Sequence, residues 1–189
     1  MVRYYSSREL SRKLRIPLNR WKRWAREFLP PDPLGGLQSG YARQFSSREA
    51  FTVYLGGFLV AGLGFSIPEA RQIIKDLNGW MKKKVLDAYL FGRSADNGGH
   101  VDDDVRYEIH ILGRPVAPGR GNVKFAYQVR EITARQMTKG GRAHQWVEKS
   151  TETTLKPQPV SQGGSYPQVG RFLEISDLAG RFRRPAKKN

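Results

Sequence analysis

The 189-residue chain contains no cysteine. Disulfides, thiolate metal sites, redox-active thiols and cysteine nucleophiles are therefore excluded. The absence suits a reducing compartment, and we expect a cytoplasmic protein. His100, Asp102, Asp103 and Asp104 come close to a metal-binding cluster. Adjacent carboxylates of an extended segment point in different directions, however, so we expect no metal site there.

The sequence also lacks a long apolar run. Its most apolar window, residues 50–65, contains four glycines and is shorter than the roughly 20 residues that a membrane-spanning helix needs. We interpret this window as a buried helix. Residues 1–10 have no apolar segment of the kind found in secretory signal peptides, so we expect neither export nor a membrane anchor.

Recognisable catalytic and cofactor motifs are missing as well. The chain has no G-x-S-x-G sequence, no phosphate-binding loop and no dinucleotide fingerprint. His110 and His144 have no partner residues at a catalytic or metal-binding spacing. We therefore expect a protein without enzymatic activity and without a cofactor.

Acidic residues are scarce relative to basic ones. The 33 lysines and arginines against 17 aspartates and glutamates give a net charge of +16. Such an excess favours a polyanionic partner, nucleic acid first and an anionic membrane surface second, although it also promotes solubility in general. The charge is concentrated in residues 8–26, which hold eight basic residues and a single acid, Glu9.

Three S-x-x-E sequences mark helix starts in the first half. They are Ser6 to Glu9, Ser46 to Glu49 and Ser66 to Glu69, and each is preceded by an aromatic residue. In this capping box the serine side chain and the glutamate side chain each bind a free amide at the helix start. The sequence therefore predicts helices over 7–14, 47–62 and 67–90.

A fourth helix is predicted from Pro17 to residue 28, because proline is tolerated in the first turn. Leu18, Trp21, Ala25 and Phe28 recur at helical spacing, and we expect Trp21 and Phe28 in the core. Only a sharp turn separates this basic helix from the helix over 7–14, an arrangement typical of a helix-turn-helix.

The segment 29–46 is long for a connector between helices. Its prolines end the preceding helix, its paired glycines allow a tight tip, and Tyr41, Arg43 and Phe45 close it. We interpret it as a wing whose Tyr41 and Arg43 contact the DNA backbone, with Phe45 buried and Arg43 exposed. The alternative is a structured loop in which Tyr41 and Phe45 pack on the basic helix.

Alternating strand patterns replace helices in the second half, beginning with Val105, Tyr107, Ile109 and Ile111. The last of four predicted strands covers residues 171–176. The fold class is therefore α+β, with a small antiparallel sheet after the helices. The predicted divisions are a DNA-binding domain over 1–92, a linker over 93–104, a β-rich domain over 105–178 and a disordered basic tail over 179–189. We expect the β-rich domain to fold separately and to serve dimerisation, an effector or a partner.

Residues 4–77 resemble the winged helix-turn-helix of MerR-type regulators. The resemblance is carried by Tyr5-Ser6, Glu9-Leu10, "REFLPP" (26–31), "GYARQF" (40–45) and "LGFSIPEA" (63–70). It implies a bacterial, nucleoid-associated homodimer that binds promoter DNA. The helix over 68–90 could form the dimer or pack on the protein's own core through a partial apolar stripe. The stripe consists of Ile74, Leu77, Met81, Leu86 and Tyr89.

The leading hypothesis is thus a sequence-specific regulator of transcription that binds double-stranded DNA. The alternatives are a DNA-architecture or mobile-element protein of the excisionase or terminase small-subunit type, and a protein-interaction module centred on the β-rich domain. Arg20 and Arg23 are predicted at base edges, with Lys22 or Arg26 nearer phosphate. The full set of predicted DNA-binding residues is Ser7, Arg8, Arg12, Asn19, Arg20, Lys22, Arg23, Arg26, Tyr41 and Arg43.

Overall fold

A computed structural model describes residues 4–32, 42–85, 103–114, 124–139, 142–155 and 169–184. Five helices and six strands lie within these ranges, and the fold class is α+β, as predicted. In chain order they are β1 (Tyr4–Ser6), α1 (Ser7–Leu14), α2 (Leu18–Phe28), β2 (Gln44–Ser46), α3 (Ser47–Ala61), α4 (Ile67–Met81), β3 (Asp103–Arg114), β4 (Lys124–Lys139), β5 (Arg142–Leu155), β6 (Val169–Glu174) and α5 (Ile175–Arg183).

The chain divides into two compact units. The helical unit comprises residues 1–93 and 178–189, and the sheet unit comprises residues 94–177. The last stretch of the chain is therefore counted with the helical unit rather than with the β-strands that precede it.

The three predicted capping boxes are confirmed at the starts of α1, α3 and α4. In each box the serine hydroxyl accepts a bond from the glutamate amide, and the glutamate carboxylate accepts one from the serine amide. The helix predicted over 67–90 is shorter than expected. It stops at Met81, a π-helical turn follows over 82–85, and residues 86–90 lie outside the described ranges.

Short strands bring two of these helix starts together. β1 and β2 pair antiparallel with Tyr5 opposite Phe45, so the capping serines Ser6 and Ser46 lie at the ends of one two-stranded ribbon. Phe45 is buried, as predicted, and its ring meets the fully buried Trp21 ring edge to face at 5.7 Å. The ribbon therefore ties the end of the 29–46 segment to the core beneath α2.

The core of the helical unit lies around α3, which packs against both α2 and α4. Trp21 is buried, as predicted, whereas Phe28 is only partly buried. The aromatic rings of Trp24 and Phe28 lie against the backbone of Gly57 and Gly56, where a β-carbon would overlap them. Two consecutive glycines thus allow α3 to approach the Trp24 and Phe28 rings of α2 closely.

The four-stranded sheet has the order β5-β4-β3-β6, and all its neighbours are antiparallel. The predicted alternation is confirmed for Tyr107, Ile109 and Ile111, whose side chains are buried. Two boundaries were wrong. β3 begins at Asp103, inside the predicted linker, and the strand predicted over 171–176 ends at Glu174 because the chain turns into α5 at Ile175.

The prediction of a disordered tail from residue 179 is wrong as far as Arg183. Leu178, Ala179 and Phe182 are buried on one side of α5, a spacing that suits an amphipathic helix. The ring of Phe182 contacts those of Phe51 and Tyr54 on α3 at centroid distances of 5.6 and 6.0 Å. Residues 185–189 lie outside the described ranges.

Candidate nucleic-acid interface

The exposed side of α2 is basic along most of its length. A helix turns about 100° per residue, so Asn19, Arg23 and Arg26 fall within about 60° of arc, opposite the buried Trp21 and Ala25. Arg20 and Lys22 lie on either side of this ridge, and all five of these outward-facing side chains are exposed. An open depression of about 420 Å³ is lined by Pro17, Asn19, Arg20, Arg23 and Arg26.

Acidic side chains do not neutralise this surface within the described part of the chain. No carboxylate of those residues lies within 4 Å of the charged nitrogens of Arg20, Lys22, Arg23 or Arg26. The one acid of α2, Glu27, is instead held by Arg71 of α4. Arg71 donates from Nη2 to the Glu27 carboxylate and from Nε to the Glu27 carbonyl, both at 2.6 Å. The positive charges of α2 therefore face solvent together, and they attract a polyanion.

Three further predicted residues lie on α1. Arg8 and Arg12 are exposed and lie one turn apart, with Arg12 Nε 3.5 Å from the carbonyl of Arg8. Ser7 is the first residue of α1 and is partly buried. α1 thus exposes two arginines, of which Arg12 lies in its last turn, near the connection to α2.

Two hydrogen bonds between Ser11 and Ile16 hold the turn between α1 and α2. The amide of Ile16 donates to the carbonyl of Ser11 at 3.0 Å, and the Ser11 hydroxyl donates to the carbonyl of Ile16 at 2.7 Å. Arg15 stands at this turn with φ 54° and ψ 40°, in the left-handed region. The paired bonds fix the direction in which α2 leaves α1.

The prediction that Arg43 is exposed is wrong, because its side chain is only 20% accessible. Its guanidinium donates to the carbonyl of Pro30 at 2.9 Å and lies 3.4 Å from the Glu49 carboxylate. It also lies over the ring of Phe45. Arg43 therefore joins the two ends of the 29–46 segment to the start of α3. Its contact with DNA stays a prediction, and Tyr41 lies outside the described residues.

Glu49 is the acceptor in this arrangement. Burial raises the pKa of its carboxyl, but hydrogen bonds from the Ser46 amide and hydroxyl and from Arg43 outweigh burial, and the pKa lies below its usual value of 4.5. The carboxylate is therefore the form that holds Arg43 and the start of α3 in place.

Part of the apolar stripe considered for dimerisation is buried inside the helical unit. Leu77 and Met81 are buried there and Ile74 is partly buried. Packing on the protein's own core is therefore the correct alternative for Leu77 and Met81. Leu86 and Tyr89 lie outside the described residues.

Sequence reasoning found the basic residues of α2 but missed three features that position them. These are the Arg71–Glu27 pair, the Arg43 contacts and the backbone conformation of Arg15. The Arg71–Glu27 pair joins residues 44 positions apart, and the Arg43 side chain reaches back 13 residues to Pro30. Arg15 carries a local signal, since it precedes Ile-Pro at the end of a helix. Across the described ranges, no helix is long and apolar enough to cross a membrane.

The chain matches no protein-family model, no curated protein and no solved structure with which it was compared.

Proposed function

We propose that the protein is a sequence-specific regulator that binds double-stranded DNA through a winged helix-turn-helix, with α2 in the major groove. The observation that carries this proposal is the exposed face of α2, where four basic side chains and one asparagine face solvent and none of the four pairs with a carboxylate of the described residues. The 11 residues of α2 extend about 16 Å, and the major groove, about 12 Å wide, admits one helix.

The residue types on this face are those that read base edges. Arginine donates two hydrogen bonds to guanine, and asparagine forms a two-bond pair with adenine. Asn19, Arg20 and Arg23 belong to the first half of α2, the part of a recognition helix that contacts bases. Lys22 and Arg26 are placed nearer phosphate, together with Ser7, Arg8 and Arg12 of α1. Tyr41 and Arg43 belong to the wing in this proposal.

The proposal includes a cytoplasmic, nucleoid-associated homodimer that recognises two related half-sites. Since Leu77 and Met81 are buried in the helical unit, its dimer contacts come from other residues. The protein acts without catalysis and without a cofactor.

Selection of duplexes from a random-sequence pool tests this function. We expect the retained duplexes to share a motif. Replacing Arg20 by Ala should relax selection at one position of that motif, because an arginine–guanine pair contributes about 1–3 kcal/mol of discrimination.

The matched control is Lys149→Gln, which removes one charge from an exposed position of β5 and should leave the motif unchanged. Duplexes retained without a shared motif would contradict sequence-specific recognition and favour a DNA-architecture protein. If no duplex is retained, DNA binding itself is wrong.

A further inference from the structure

Arg15 adopts a backbone conformation that its side chain disfavours. It is the only non-glycine residue with positive φ among the described residues. It follows α1 in the position where helices most often carry glycine, because a β-carbon crowds the backbone in the left-handed region. The bonds from the Arg15 amide to Arg12 and from the Ile16 amide to Ser11 form the corresponding helix-ending motif.

The same chain uses glycine for this conformation elsewhere. Gly64, which follows α3, has φ 70° and open space where a β-carbon would be. Since glycine at position 15 would relieve the strain, an arginine there points to a role for its side chain.

That side chain is exposed, and it stands directly after α1, on which Arg8 and Arg12 are also exposed. No carboxylate of the described residues lies within 4 Å of the Arg15 guanidinium. Only Ile16 and Pro17 separate it from the first residue of α2.

We propose that Arg15 binds a DNA phosphate next to the part of the major groove that α2 occupies. This contact would anchor the turn between α1 and α2 to the sugar–phosphate backbone. A guanidinium binds phosphate with two parallel hydrogen bonds and stays charged at any working pH. Such a contact sets the register of a recognition helix and carries no sequence information. This inference rests on the proposed DNA binding and adds a residue that the predicted interface lacks.

The test compares Arg15→Gly with Arg15→Lys in the full chain, using a fluorescent random-sequence duplex between 50 and 200 mM salt. Arg15→Gly should reduce the slope of log affinity against log salt by about 0.9, because one fewer counterion is released. Its affinity deficit relative to wild type should change by about 3- to 4-fold over this salt range. Its melting temperature should not fall, since glycine suits the turn. Arg15→Lys should keep the wild-type slope.

A wild-type slope in Arg15→Gly, while wild-type protein binds the duplex, would overturn the inference and leave the proposed function standing. A lower melting temperature and weaker binding in both variants would also overturn it, by showing that Arg15 supports the fold. Failure of the wild-type protein to bind would reject the proposed function, and this inference with it.

Discussion

At the scale of single residues, Glu49 links the 29–46 segment to the start of α3. Its carboxylate accepts from the Ser46 amide at 2.9 Å and from the Ser46 hydroxyl at 2.8 Å, and it pairs with Arg43. Glu69 occupies the equivalent position in the capping box of α4, where it has no ion pair among the described residues. Comparing variants of the two glutamates therefore separates the contribution of the Arg43 ion pair to stability from that of the helix cap.

We expect Glu49→Gln to be less stable than wild type near neutral pH and to approach wild type in acid. Because the pKa of Glu49 is lowered on folding, its stabilising contribution is complete above the unfolded pKa, near 4.5, and is lost as the pH falls through the folded value. Denaturant unfolding between pH 3 and pH 7 measures the difference. Glu69→Gln is the control and should show a smaller loss at neutral pH. A stability difference for Glu49→Gln that stays constant to pH 3 would show that the charge is unimportant.

At the scale of elements, the fit of α2 against α3 depends on two glycines. We expect Gly57→Ala to destabilise the helical unit by about 1–3 kcal/mol, because the added β-carbon overlaps the Trp24 ring. Gly79→Ala is the matched control on α4, where a β-carbon would meet nothing within 4 Å. It should stabilise by up to about 1 kcal/mol through helix propensity. If both variants unfold at the same denaturant concentration, α2 and α3 do not pack as closely as described.

The end of α5 also contributes to the core of the helical unit. Phe182 is buried against Phe51 and Tyr54, and the ammonium of Lys13 on α1 lies 4.8 Å from the centre of its ring. We expect Phe182→Ala to cost about 3–5 kcal/mol and to accelerate hydrogen exchange in α1 and α3.

Phe172→Ala serves as the control, because Phe172 is 46% exposed on β6 and contacts the His110 ring there, so its removal should change stability by about 1 kcal/mol or less. Unchanged exchange in α1 and α3 of Phe182→Ala would mean that α5 is peripheral to this core.

The elements that the sequence predicted well are those with a local cause. Capping boxes located three helix starts, and the apolar spacing of Trp21 and Ala25 located the buried side of α2. Alternation identified the inner face of β3. Each of these signals is contained within a few neighbouring residues.

Features that depend on distant residues were missed. Nothing near Arg43 in sequence indicates that the carbonyl of Pro30 will accept a hydrogen bond from it. The basic residues around Phe182 obscured the helical pattern of α5, whose residues from Leu178 onward are counted with the helical unit. The sequence identified which basic residues form the candidate site, because these residues are neighbours along the chain. The contacts that hold them in position could be seen only in the structure.

At the scale of the whole molecule, a protein with a net charge of +16 attracts any polyanion. Binding to DNA would therefore not by itself show that the exposed face of α2 is the binding surface. The informative quantity is the part of the binding that depends on particular arginines. Arg23 is the sharpest choice, because it lies at the centre of the exposed ridge and lines the depression on α2.

The most direct measurement therefore compares three proteins: wild type, Arg23→Gln and Lys149→Gln. The affinity of each is measured at the same salt concentration for two duplexes, the one selected from the random pool and one of random sequence. Lys149→Gln removes the same charge from the exposed part of β5 and should bind both duplexes nearly as wild type does. Arg23→Gln should lose affinity for the selected duplex by about 1–3 kcal/mol more than for the random one. Equal losses for Arg23→Gln and Lys149→Gln on both duplexes would contradict the placement of α2 in the major groove.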